Sequence, residues 1–332
     1  MTERVATTVG VFPLPDWAKS DLADLKGHQK HDLVDGDEGE AITGAYEEAR
    51  AEVLDRQVDA GLDRVVEGQL RWDDMLAHPL AVHDAVETRG IVRYYDNNNF
   101  YREPVVTDEL GFDGDVAREL DAAADRGDLQ AVVPGPYSLA DLATDEFYGD
   151  DADFLDAVAD FLASEVEAFP EVETLFVLEP SLVENPPVEG EDERASEAVD
   201  AVANAAGPGT DVVVHTYWGA LDERVHAHLL DADVDALGYD FVANHEDNLY
   251  NINEYGTKES IAAGVVDGQN TLVEDAEQIA ERADWLEENT PAADFETVYL
   301  TPNTELFYLP YSTFEEKLAA LGEATDIAEV TA

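Results

Sequence analysis

The sequence predicts an α/β protein built as a single (β/α)8 TIM barrel, and three observations carry that reading. Eight apolar, β-rich runs alternate with amphipathic stretches from one end of the chain to the other. The runs are nearly continuous in apolar character, the pattern of strands covered on both faces of a parallel sheet. Eight such units over roughly 250 residues or more fit a closed barrel better than an open doubly wound sheet. The open alternative also lacks its usual mark. The first run has no glycine-rich phosphate turn, and Gly207-Pro208-Gly209 precedes a strand instead of following one.

Taken in order, the strands are expected at 5–12, 62–68, 129–136, 174–180, 211–217, 234–240, 260–268 and 297–302. Helical patterns lie between them near 41–60, 114–127, 151–168, 191–206, 220–231, 275–288 and 312–323. The interval around 248–258 is expected to be short and poorly helical. One segment does not fit the repeat. Residues 91–106 are aromatic and Asn-rich, and they interrupt the second βα unit as an inserted hairpin. Either Tyr94, Tyr95 and Phe100 pack it on the barrel surface, or it is a flap over a site; both readings stay open. No linker or internal repeat argues for a second domain, so residues 1–332 are read as one.

Composition narrows the function classes. The chain has 77 Asp plus Glu against 18 Lys plus Arg, a formal net charge of -59, and five lysines. That charge is spread along the whole sequence, whereas an interaction tail concentrates it in blocks. The expectation is a solvated acidic surface suited to a salt-rich cytoplasm, since molar salt shortens the Debye length to about 3 Å. Nucleic-acid binding, which needs clustered Lys and Arg, is disfavoured. No apolar run reaches the length of a membrane span, and the start lacks a signal-peptide layout. Zero cysteines exclude disulfides, thiolate nucleophiles and Cys-ligated metals.

In a barrel the chemistry sits where strands end at the C-terminal face. The residues there are Gln69, Arg71, Trp72 and Asp74 after the second run, Gly135-Pro136-Tyr137-Ser138 after the third, and Glu179 after the fourth. His215 and Tyr217, Asp240, then Asp267, Gln269 and Asn270, and finally Asn303 close the series. No nucleophile–base pair stands out. The scarce cations cluster: Lys19, Lys26 and Lys30 follow the first run, and Arg71, Arg93 and Arg102 lie in the second unit. They are read either as a positive rim for a polycarboxylate ligand or as local ion pairs. His226 and His228 are expected on a helix surface, His28 and His31 lack partners at ligand spacing, and His215 suits a neutral hydrogen-bonding role.

These strand ends, in this order, resemble the cobalamin-independent methionine synthase family from Gly10 to about Leu321. Leu178-Glu179-Pro180-Ser181-Leu182 is similar to that family's Asp-Glu-Pro-Ala-Leu. Tyr95-Asp96-Asn97-Asn98 through Tyr101 and Pro104 is similar to its aromatic–Asn–Tyr segment. Ala60-Gly61-Leu62-Asp63 with Gly68 and Trp72, Gly135-Pro136, and Gly264 through Asn270 match further motifs. The resemblance implies methyl transfer from 5-methyltetrahydrofolate polyglutamate to homocysteine. In full-length members two similar barrels occur, and the C-terminal one binds zinc.

The family's zinc-ligand positions fall on Tyr217, Gly219, Gly238 and Thr304, its proton-donating His on Gln269, and its amino-group Asp on Leu178. The resemblance is thus to the metal-free N-terminal barrel. It implies a split enzyme whose partner is a zinc-bearing barrel, with zinc expected in that partner alone. Lys19 sits near the family's folate-tail motif, and Asn98 and Tyr101 in the aromatic–Asn segment. Without zinc a thiol of pKa about 8.5 is mostly protonated at neutral pH. A non-catalytic scaffold barrel, or a relative using another methyl donor, remains the alternative.

Overall fold

Eight parallel strands form one curled sheet in the computed structural model, which describes residues 2–22, 39–95 and 99–331. In chain order the strands are β1 (Glu3–Ala6), β2 (Val65–Val66), β3 (Val86–Arg93), β4 (Phe100–Val106), β5 (Leu129–Pro134) and β6 (Thr144–Asp145). They continue with β7 (Thr174–Leu178), β8 (Asp211–His215), β9 (Ala236–Asp240), β10 (Ser260–Val266) and β11 (Thr297–Pro302). The sheet runs β1-β11-β10-β9-β8-β7-β5-β2, so each successive βα unit adds one neighbour. Its two outer strands meet: the Asp63 and Arg64 amides both donate to the Ala6 carbonyl, and Phe12 N donates to Gly68 O at 2.9 Å.

Each strand stops earlier at its C-terminal end than apolarity alone suggests, apart from β9 and β11, which end where expected. After β1 the backbone turns through Gly10 and Val11 at positive φ, and the Gln69 side chain takes the Val11 amide that a neighbouring strand would otherwise bond. β2 is short for a related reason. Gln57, on helix Glu40–Asp59, donates to the Val66 carbonyl and accepts from its amide, so a side chain does the work of a strand neighbour.

The helices cover the sheet because their apolar residues recur at helical spacing. In Glu40–Asp59 the buried positions Ile42, Tyr46, Ala49 and Val53 lie on one face. Helix Ala276–Asn289 starts at a capping box in which Asp275 accepts from Gln278 N and Gln278 accepts from Asp275 N. Among the described residues no helix is long and apolar enough to cross a membrane.

Two expectations are corrected. The interval expected to be poorly helical holds an 11-residue helix, His245–Tyr255. Its polar sequence hides this, because Asn248 and Asn251 face inward and donate to the carbonyls of Gly219, Asp240 and Leu221. His226 is buried rather than on the surface; its Nε2 lies 2.9 Å from the Tyr239 hydroxyl, and burial lowers its pKa to about 4. His228, two residues on, faces Asp192 near the surface, so the i, i+2 pair does split between faces.

Residues 86–106 form an antiparallel pair, β3 with β4, and β6 adds to β4 in a separate three-stranded sheet. This ribbon rests against the C-terminal ends of the barrel strands. Tyr95 Oη meets Ser181 Oγ at 2.7 Å, and its ring packs edge-on to Trp218 at 5.3 Å.

Candidate functional site

Residues from four consecutive strand ends, β8 to β11, are tied together at that face. Asn303, just past β11, is the centre of the arrangement. Its carbonyl lies 3.0 Å from His215 Nε2, its Oδ1 accepts from Gly268 N at 2.9 Å, and its Nδ2 donates to Asp240 Oδ2 at 3.0 Å. Asp240 also accepts from the Trp218, Val242 and Ala243 amides. These bonds hold Trp218 at φ 71, a left-handed conformation that a bulky residue adopts only when its surroundings fix it. Burial raises the Asp240 pKa, while the four donors oppose that rise.

His215 is fully buried between β7 and β9. A carbonyl can only accept, so Nε2 carries the proton, and Nδ1 has no partner among the described residues. Burial lowers its pKa to about 4, which makes it a neutral imidazole near pH 7. The neutral form therefore supports the fold above the ordinary value of about 6.5, and that support is lost as pH falls through about 4. The expected acid loss is about 3 kcal/mol. Urea midpoints between pH 7 and pH 4 should show it together with a similar loss from His226, and His215→Gln should remove about half of that slope; an unchanged slope would reject the assignment.

Glu179 crosses from β7 to the loop after β5, where it accepts from Tyr137 N, Ser138 N and Ser138 Oγ at 2.9, 2.8 and 2.6 Å. Burial pushes it up to about 7 against the pull of those donors. A side chain at Gly135 would overlap the Glu179 carboxyl, so that glycine is required by close approach.

On the β2 side, Gln69 is buried at φ 48, and its amide donates to Glu67 at 2.8 Å. Asp74 Oδ1 accepts from Leu76 N, Ala77 N and the Tyr94 hydroxyl, and Tyr101 packs on the Tyr94 ring at 4.3 Å. Trp72 stacks on His78 at 5.7 Å. The cations expected at the rim have local neighbours. Arg71 lies 3.0 Å from Glu119 and over the Tyr46 ring, Arg102 pairs with Asp73, and Arg93 covers the Phe100 ring. Lys19, half exposed, is 3.9 Å from Asp16. Lys26, Lys30, His28, His31 and Asn98 lie outside the described residues.

After β10, Asp267 Oδ1 accepts from the Gln269 and Asn270 amides and shapes an exposed turn. Tyr217 is fully buried, 4.8 Å from the Trp218 ring, with no partner for its hydroxyl among the described residues. Sequence reasoning passed over Glu305, which is 1% exposed and whose carboxyl burial pushes up to about 8 against its own backbone N–H and the Gln269 side chain. Its signal was position alone, two residues beyond the Asn303 that was singled out.

The four positions where the family's zinc half carries ligands do not suit zinc here. Gly219 and Gly238 have no donor atom, and the Tyr217 and Thr304 hydroxyls are not ordinary zinc ligands. A Cβ at Gly238 would overlap His215 Nδ1, so the imidazole fills the space a ligand side chain would need. Among the described residues no group of three or more His, Cys, Asp or Glu is placed to hold a metal.

Comparison with known proteins bears on this site. The family described as "Cobalamin-independent synthase, N-terminal domain" matches residues 82–291. A methionine synthase of Saccharolobus islandicus is 25% identical over 327 residues, covering 97% of this chain and 93% of that protein. The methionine synthase of Sulfolobus acidocaldarius is 22% identical over 324 residues, covering 96% and 90%. In fold, the chain is similar to a B12-independent methionine synthase from a Shewanella species solved with selenomethionine, at TM-score 0.76, 17% identity and 98% coverage of each chain. A methyltransferase from Methanosarcina mazei is a more distant match, at TM-score 0.58, 11% identity and coverage of 99% and 95%. With its strand-end geometry and a domain match over most of its length, this chain belongs to the cobalamin-independent methionine synthase family of methyltransferases.

Proposed function

We propose that this chain is the zinc-free half of a split methionine synthase. It serves methyl transfer from 5-methyltetrahydrofolate to homocysteine, in the cytoplasm, beside a separate zinc-bearing barrel. The observation that carries the reading is the Gly238–His215 packing: the ligand space of the zinc half is filled here by an imidazole. Two facts support it. The matching family domain is the N-terminal one, and the curated relatives are themselves nearly spanned by this one barrel. In this reading the β3–β4 ribbon is a flap, and the mouth residues Gln69, Trp72, Asp74, Tyr101, Glu179, His215, Tyr217, Asp240, Asp267, Gln269, Asn270 and Asn303 shape the folate-facing surface. Asn98 and Arg71 belong to the same proposed surface, and Lys19 meets the polyglutamate tail.

Calorimetric titration of 5-methyltetrahydrofolate triglutamate into the chain in multimolar KCl is the test, with saturable binding at one site expected. Lys19→Ala is the cleaner probe, because Arg71→Ala also strips Glu119 of a neighbour. An exposed charge contact of this kind is worth up to about 1 kcal/mol, so Lys19→Ala should weaken binding by up to about fivefold. A second reading is favoured by how fully Asp240, Glu179 and Asn303 are occupied in holding strand ends together. It makes the chain a scaffold that steadies its partner, and absence of folate binding by the folded protein would select it. Binding that ignores loss of the glutamate tail would point to another methyl donor.

A further inference from the structure

Tyr94 and Tyr95 are neighbours just past β3, and they are held in opposite ways. Tyr94 is fully buried on the β2 side of the mouth. Its hydroxyl donates to Asp74 Oδ1 and accepts from the Leu76 and Ala77 amides at 3.2 and 3.1 Å. Its own amide donates to the Asn99 carbonyl at 3.0 Å. Tyr95 reaches the other way, to the loops after β7 and β8. Ser181 Oγ gives its proton to Asp141 Oδ2 at 2.8 Å, because a carboxylate accepts and does not donate. Tyr95 is therefore the donor in its 2.7 Å bond to Ser181. Burial pushes the Tyr95 hydroxyl well above its ordinary value, which keeps it a neutral donor.

The Tyr95 backbone stands at φ 43, a left-handed conformation that is costly for a bulky side chain. Trp218, whose ring it meets edge-on at 5.3 Å, is left-handed as well, at φ 71. The Trp218 amide donates to Asp240 Oδ2, so the end of β9 fixes that backbone. Tyr95 is held by a neutral hydrogen bond and by ring packing. Each is of small net worth, and release of the strained backbone gives back an amount of the same order. The position of Tyr95 is thus finely balanced, beside a Tyr94 that is firmly tied.

We propose that Tyr95 is an aromatic gate at the barrel mouth. In the shut position its side chain bridges from the ribbon to Ser181 and packs on Trp218. It opens by relaxing its left-handed backbone and releasing Ser181, with Tyr94 as the fixed pivot, and uncovers the Trp218 ring. The gate rests on the reading of this face as the ligand-facing one, and is indifferent to which ligand enters. Its acceptor departs from the motif that residues 178–182 resemble, which has alanine where Ser181 stands.

Acrylamide quenching of Trp218 fluorescence in multimolar KCl is the test, with the background of Trp17, Trp72 and Trp285 taken from Trp218→Phe samples. Ser181→Ala and Tyr95→Phe each delete the bond and keep both rings. Each should raise the Trp218 quenching constant by about twofold or more, the response to one lost hydrogen bond in a balanced equilibrium. The double variant should go no further than either single one, since both remove the same bond. Ser181→Ala installs the motif's own residue, so that variant is expected to fold, and its thermal midpoint checks this. A purely structural bond gives the reverse pattern, a lower midpoint with Trp218 as shielded as before. That pattern, unchanged quenching in both variants, or a rise shared by the Trp218→Phe background overturns the gate. Folate titration of the unsubstituted chain separates the failures. Folate binding with unchanged quenching sinks the gate alone, and absence of both sinks the folate reading as well.

Discussion

Thermal midpoints measured from about 0.15 M to about 3 M KCl are expected to rise steeply and continuously, the largest response to conditions predicted for this chain. The cause lies in where the charge is carried. On helix Ala276–Asn289 the residues Glu277, Glu281, Asp284 and Glu288 are all exposed on one outer face at spacings of three and four. Like charges so spaced each cost a few tenths of a kcal/mol at low salt. A net charge of -59 repeats that penalty over the whole surface. Debye lengths of about 8 Å at 0.15 M and about 3 Å at 1 M bracket the spacing of helix neighbours, so added salt removes the repulsion pair by pair. Attractive exposed pairs such as Arg89–Glu146 weaken too, but the 18 cations can offset few of the 77 acids. Buried pairs such as Arg50–Glu119 and Lys317–Glu274 are little screened. A midpoint that stays flat or falls with KCl would reject salt adaptation.

The parallel strands were legible because each is buried on both faces, which writes an unbroken apolar run into the sequence. Their ends were less so. β1 stops at Ala6 because Gln69 reaches across to bond Val11, an event 58 residues away in the chain. Helix His245–Tyr255 was missed because its Asn residues carry no apolar stripe, and partners in other loops hold it. The mouth residues were found by the rule that chemistry follows strand ends. What those residues bond could not be read. The expected rim of cations is, among the described residues, a set of local neighbours: Glu119 for Arg71, Asp73 for Arg102 and Asp16 for Lys19. Glu305 had no chance of standing out among 77 acidic residues. Its burial is something only the folded arrangement reveals.

Gly238→Ala is expected to cost about 3 kcal/mol, far more than its single added methyl suggests. Gly238 on β9 is paired in register with His215 on β8, and its missing Cβ leaves the space that His215 Nδ1 occupies. The new methyl would also stand 3.0 Å from the His215 Cα, so the backbone gives little room for retreat. The imidazole would have to turn away and lose its bond to the Asn303 carbonyl. That adds the cost of an unpaired buried carbonyl to that of overpacking. Urea denaturation at fixed salt measures the loss, and a double-mutant cycle assigns it. His215→Ala alone leaves a cavity and the same unpaired carbonyl, whereas in the Gly238→Ala background it removes the clash. The two changes together should cost less than their sum by at least about 1 kcal/mol. Simple additivity would mean that the strands, not the imidazole, resist the methyl. By the resemblance, Gly238 is one of the positions where the family's zinc half carries a ligand, and any side chain there would begin at the same clashing Cβ. Placing any ligand side chain at Gly238 therefore requires His215 to leave, so the two positions are coupled by packing.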